Sequence, residues 1–144
     1  SNVLSHFELT EGLRAARLMD QDGAVINMTS GGMYGTPLKL EPMLASDPKQ
    51  YDGMAAYAMH KRAQVALTHY WNAQGKGAPK AYAMHPGWVD TAGVKSSLPW
   101  FRATLRRFLR QPVDAADTAL WLGTTRPMTG EGVWLDRVPS PFQQ

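Results

Sequence analysis

Apolar and polar positions along this chain fall into helical and extended patterns by turns. From Val3 to Met19, Leu4, Phe7, Leu13, Ala16 and Leu18 lie near one helical face, with Glu8, Glu11, Arg14 and Arg17 interspersed. Asp20-Gln21-Asp22-Gly23 is a turn cluster that stops this helix. The run Ala24 to Ser30 is short, apolar and bounded by Gly31-Gly32, which predicts a strand buried on both faces. Residues 31 to 52, broken by Gly35, Pro37, Pro42 and Pro48, predict a long loop of the kind that usually carries function. Good helix formers without proline run from about Gly53 to Ala73, and Gly75-Lys76-Gly77 and Pro79 end them. Lys80 to His85 predicts a second strand, cut short by Pro86-Gly87, with a loop over residues 88 to 99. Trp100 to Arg110 predicts a helix with Phe101, Leu105 and Phe108 on one side and Arg102, Arg106 and Arg110 on another. A helix from Pro112 through Leu122, a strand Gly132 to Asp136 and a Pro139-Ser140-Pro141 tail complete the chain.

Strands that alternate with helices predict a parallel sheet with right-handed crossovers. In such a sheet ligands sit beyond the carboxyl ends of the strands. Two of the three predicted strands end in chemically informative residues, Thr29-Ser30-Gly31-Gly32 and His85-Pro86-Gly87.

Composition narrows the function classes. The 144 residues amount to one domain, and the net charge of +3 does not call for nucleic acid or an anionic membrane as main partner. Without cysteine there is neither a disulfide framework nor a thiolate metal site, which fits a cytoplasmic setting. His6, His60, His69 and His85 lack metal-ligand spacing, so no metal is expected. The arginines at 102, 106, 107 and 110 read as a solvated face. The five tryptophans read as core or pocket walls.

The chemistry is in Tyr57-Ala58-Met59-His60-Lys61, where a phenol and an ammonium four residues apart share a helix face. A phenol ordinarily ionises near pH 10, and a neighbouring cation favours the phenolate. Ser30, ending a strand, places a hydroxyl where it can meet that face. Such a set suits a carbonyl oxygen that becomes an alkoxide, and the reaction needs a hydride donor that no side chain provides, so a cofactor is implied.

These residues, in this order, resemble the C-terminal half of the short-chain dehydrogenases/reductases. Asn2 looks like the family's helix asparagine, and Asn27-Met28-Thr29-Ser30 like the strand that ends in its serine. Tyr57 and Lys61 match the active-site pair, Pro86-Gly87-Trp88-Val89-Asp90-Thr91 the segment at the nicotinamide, and Thr129 to Trp134 the closing strand. The long gap between Ser30 and Tyr57, with Ser-Gly-Gly-Met-Tyr, is similar to the retinol-dehydrogenase-like branch.

The resemblance implies carbonyl/alcohol interconversion with NAD or NADP on a Rossmann-type α/β domain. Tyr57 would exchange the substrate proton and touch the cofactor, Lys61 would lower the phenol's pKa and bond the nicotinamide ribose, Ser30 would hold the carbonyl and Asn2 would fix a relay water. Pro86, Gly87, Val89 and Thr91 would hold the nicotinamide end, with residues 92 to 110 closing over the substrate. Self-association through helices 3–19 and 53–74 is also implied. The family's Gly-x-x-x-Gly-x-Gly turn, with its first four strands, has no counterpart in residues 1–144. The expectation is therefore a single partial domain of about three strands, a fragment with little activity alone. A non-catalytic remnant used for dimerisation is the rival reading.

Overall fold

The computed structural model describes residues 2–19, 22–40, 49, 51–75, 77–128 and 132–141. Parts of the predicted 31–52 loop and of the 20–23 turn, and all of Thr129-Gly130-Glu131, lie outside these residues. Along the chain come α1 (Leu4–Ala15), β1 (Ala24–Met28), a 3-10 turn (Gly31–Gly35), α2 (Gly53–Ala73) and β2 (Lys80–Met84). They are followed by α3 (Ala92–Ser97), α4 (Pro99–Leu105), a second 3-10 turn (Arg106–Phe108), α5 (Pro112–Thr125), β3 (Val133–Leu135) and β4 (Val138–Ser140). The protein is thus an α/β fold on one mixed sheet of order β1-β2-β3-β4.

β1 and β2 pair in parallel from Ala24↔Lys80 to Met28↔Met84, and β2 and β3 in parallel at Ala83↔Val133 and Met84↔Trp134. Side chains along β2 alternate between faces. Ala83 packs with Met33, Val65 and Val133 under α2. Tyr82 and Met84 pack with Leu122 and Trp134 under α5.

α2 starts where Asp52 accepts the Met54 and Ala55 amides at 2.9 and 3.1 Å, an N-cap that satisfies two otherwise orphan donors. Its inward stripe is Ala56, Met59, Gln64, Val65, Thr68 and Trp71. Asn72 then pins the entry of β2: its side chain donates to the Ala81 carbonyl and accepts from the Ala81 amide.

The structure corrects several expectations, among them the 88–99 loop, which holds α3 after the Thr91 cap. β1 is not buried on both faces: Ala24 to Ile26 are half-buried and Met28 is 43% exposed, and among the described residues β1 lies at an edge of the sheet. α1 ends at Ala15, so Leu18 lies beyond it; Leu4 and Leu18 are exposed, and the helix is held instead by Phe7 against Tyr70, by buried Thr10 and by Glu11. The tail is a fourth strand, antiparallel to β3, made possible by Asp136 and Arg137 at φ 51° and 63°. Two consecutive left-handed residues form the tight turn that joins hairpin strands. Last, Trp100 to Arg110 is not one helix. α4 ends at Leu105, and Arg110 is extended in a parallel bridge with Val89.

Candidate active site

The carboxyl end of β1 is tied to α2 at Lys61. The Lys61 ammonium donates to the Met28 carbonyl at 2.8 Å and to Gln64 Oε1 at 3.2 Å. Thr29 returns the connection, its hydroxyl donating to the Lys61 carbonyl at 2.6 Å. The Thr29 amide also bonds the Met84 carbonyl at 2.7 Å, carrying the ladder one residue beyond the end of β1. Ser30 follows directly. Its Oγ accepts the Gly32 amide at 3.4 Å, which leaves the hydroxyl proton free to donate elsewhere.

One turn before Lys61 on the same face stands Tyr57, 44% exposed, with the ammonium 5.7 Å from its ring centroid. Burial pulls the Lys61 ammonium below the ordinary lysine value. The strand end bearing Ser30 and the helix turn bearing Tyr57 and Lys61 are therefore held together by hydrogen bonds. Asn2 sits at the start of α1 with an exposed side chain, and its carbonyl accepts Gln64 Nε2 at 2.7 Å.

The loop after β2 lies beside this group. Tyr34, in the turn after Ser30, meets the His85 ring edge-on at 6.0 Å. His85 Nδ1 accepts the Gly87 amide at 3.2 Å, which requires the neutral tautomer with its proton on Nε2. Burial, then the Arg110 cation, push His85 below its ordinary value, with Asp136 opposing. Gly87 has φ +75°, and a Cβ there would stand 2.9 Å from Arg110 Nε. The rest of the loop is extended: the Arg110 amide donates to the Trp88 carbonyl, the Asp90 amide to the Arg110 carbonyl, and Val89 is buried. Thr91 caps α3, accepting the Val94 amide at 3.2 Å. Two bidentate ion pairs brace the loop, Arg102 on Asp90 and Arg110 on Asp136. Arg102 and Arg110 are thus structural partners rather than parts of a solvated stripe.

Three supporting residues of this region, Gln64, Arg110 and Asp136, are not among the site residues expected from the sequence. Gln64 lies three positions after Lys61 as a polar residue in an apolar stripe, and that oddity is its sequence mark. Arg110 and Asp136 are 26 positions apart, and nothing in their spacing announces the pair. A depression of about 400 Å³ lined by Glu11, Arg14, Met19 and Pro79 lies at the opposite, amino-terminal side of the sheet. The chemistry of such sheets belongs at the carboxyl ends.

These groups set a pH response in two steps. His85 binds its proton less readily folded than unfolded, so stability is full above its ordinary value of 6.5 and falls as pH drops toward the lowered folded value. Arg102, Arg110 and Arg137 hold Asp90, Asp136 and Asp117 below the ordinary 3.8. That contribution is present above 3.8 and is lost as pH falls through the depressed values. Melting temperature against pH is expected to show both losses, and His85→Asn is expected to remove only the upper one.

A largely parallel α/β sheet flanked by helices, with Ser30 at the end of one strand, Tyr57 and Lys61 on the helix beside it and Pro86-Gly87 after the next strand, is a partial Rossmann-like fold. The chain belongs to the short-chain dehydrogenase/reductase superfamily. It is similar to dehydrogenase/reductase SDR family member 12 of Homo sapiens, 42% identical over 122 residues, which cover 85% of this chain and 38% of that protein. The Bos taurus protein of the same name is 38% identical over 144 residues, 98% of this chain and 45% of that protein. A probable oxidoreductase of Streptomyces lividans is 37% identical over 95 residues, 63% of this chain and 30% of that protein. The chain therefore spans less than half the length of the curated relatives it matches. No family model and no solved structure matches it. Among the described residues no helix is long and apolar enough to cross a membrane.

Proposed function

We propose that this chain carries the proton-transfer part of an NAD(P)-dependent oxidoreductase that interconverts a carbonyl and an alcohol, in the manner of the retinol-dehydrogenase-like branch. The observation that carries the reading is the Lys61–Met28 bond, which joins the Ser30 strand end to the Tyr57 helix. Tyr57 Oη gives a proton to the substrate carbonyl oxygen in reduction and takes it back in oxidation. The Ser30 hydroxyl, with its proton unclaimed, donates to the same oxygen as negative charge develops. Lys61 stands beside the phenol as a fixed positive charge.

The residues fit a nicotinamide nucleotide. Of the three Lys61 N–H donors, Met28 and Gln64 use two, leaving one for a ribose hydroxyl. Thr91 accepts from Val94, so its own proton remains available to a carboxamide. The backbone of Pro86, Gly87 and Val89 is set by the left-handed turn at Gly87 and by the Val89–Arg110 bridge. When bound, such a cofactor supplies or accepts the hydride. Asn2 belongs to the same group through Gln64. Phosphate-binding elements would lie outside residues 1–144, and the chain by itself is expected to turn over little. A small-molecule substrate, a cytoplasmic setting and self-association through α1 and α2 complete the proposal, the last supported by exposed Leu4, Leu9 and Tyr70.

The test is binding of NADH and NADPH, read by quenching of tryptophan fluorescence. Binding is expected, and Gly87→Ala is expected to weaken it about tenfold. A non-glycine residue there costs about 1–3 kcal/mol of backbone strain. Its Cβ also displaces Arg110 from the turn. Absence of binding to the folded chain, or binding that ignores Gly87→Ala, counts against the assignment of this loop to the nicotinamide.

A further inference from the structure

Gln64 is 1% exposed, and both ends of its carboxamide are engaged. An ammonium has only donors and a carbonyl oxygen only accepts, so these partners fix which way the amide points. Oε1 must face the Lys61 ammonium, at 3.2 Å, and Nε2 must face the Asn2 carbonyl, at 2.7 Å. Asn27 holds the same turn from the strand side: its Nδ2 donates to Thr68 Oγ1 at 2.9 Å and reaches the Gln64 carbonyl at 3.5 Å. His6 Nδ1 lies 3.2 Å from Asn27 Oδ1 and 3.5 Å from Gln64 Nε2. α1, β1 and α2 thus converge on one buried amide whose oxygen is the lysine acceptor.

We infer that Gln64 is a positioning residue for Lys61, clamping its ammonium beside Tyr57 and anchoring it to the backbone at Asn2. The inference rests on the reading of Tyr57 and Lys61 given above. A lysine stem has four rotatable bonds, and Met28 alone gives the ammonium one point of attachment. The Gln64 oxygen gives it a second, and two points set both its location and the direction of the remaining N–H. The groups facing the ammonium are Tyr57 on its own helix, the Met28 carbonyl on β1 and Gln64, with His6 behind Gln64. Among the described residues no carboxylate pairs with it, so a neutral dipole is what steadies the charge.

The test is a carbon-detected NMR titration of the labelled 144-residue chain. The Gln64 carboxamide carbon is expected to shift with the same pH midpoint as the Lys61 Cε, a readout that needs no variant. Gln64→Leu removes the acceptor and is expected to move the Lys61 midpoint further down. Gln64→Glu sets a carboxylate against the ammonium and moves it up. A merely structural role would not give opposite signs. A flat Gln64 carbon, or a Lys61 midpoint that both variants leave alone or move the same way, overturns the inference. Where turnover can be measured, Gln64→Leu is expected to lower kcat about tenfold with KM within about twofold, and an unchanged kcat overturns the positioning role. If nicotinamide nucleotides do not bind while the coupled titration persists, the cofactor reading fails and the Gln64–Lys61 link stands.

Discussion

In a protein that contains this chain and turns over, replacing Tyr57 by phenylalanine is expected to cut carbonyl/alcohol turnover about a thousandfold, within the range general acid–base groups supply. The ring stays, and with it the Lys61 contact at 5.7 Å from the centroid, while the phenol oxygen is lost. Cofactor affinity should hold within about twofold, because the Gly87 turn and the Thr91 cap are untouched. Turnover is read from nicotinamide absorbance and affinity from tryptophan quenching. A Tyr57→Phe protein that keeps more than about a tenth of its turnover would remove Tyr57 from the proton-transfer step. One that loses turnover and binding together would show that the substitution disturbed the site as a whole.

The sequence carried more of the fold than of the supports around the site. α2 and β2 are where glycine, proline and hydrophobic period placed them, because Asp52, Pro79 and Pro86 punctuate them sharply. β4 escaped because its turn is Asp136-Arg137, two residues that rarely adopt positive φ and carry no glycine signal. α3 escaped because a six-residue helix opening Ala-Gly-Val has no period to read, and only the Thr91 cap marks its start. The degree of burial of β1 was misread for a different reason. An apolar run reports what a strand is built to face, and β1 lies at an edge of the described sheet. The proposed site residues Ser30, Tyr57, Lys61 and Pro86 to Thr91 each belong to a short local motif that a sequence displays. What holds them does not: Gln64 bonds Asn2 across 62 positions, and Arg110 bonds Asp136 across 26. Long-range polar contacts leave no periodic trace.

Trp71→Ala is expected to cost about 3–5 kcal/mol of stability, the range for truncating a large buried aromatic. Trp71 is fully buried on the inward stripe of α2, and its indole N–H donates to Glu11 Oε1 at 2.8 Å. Its loss opens a cavity and deprives Glu11 of one of its two partners, leaving Arg14 at 2.9 Å. Against the roughly 10 kcal/mol usual for a domain of this size, that is a large fraction. Urea unfolding should show a lower midpoint with an unchanged slope, the mark of lost stability rather than a changed unfolded state. Trp71→Phe fills most of the space but drops the N–H, and should cost about 1–2 kcal/mol. Ten residues of helix place Trp71 about 15 Å along α2 from Lys61. Trp71→Phe should therefore lower the urea midpoint and leave the Lys61 titration in place, whereas Tyr57→Phe should do neither to stability and most of its damage to turnover. If Trp71→Phe also moved the Lys61 midpoint, α2 would be transmitting packing strain along its length, and the Gln64 clamp would have to be weighed against that.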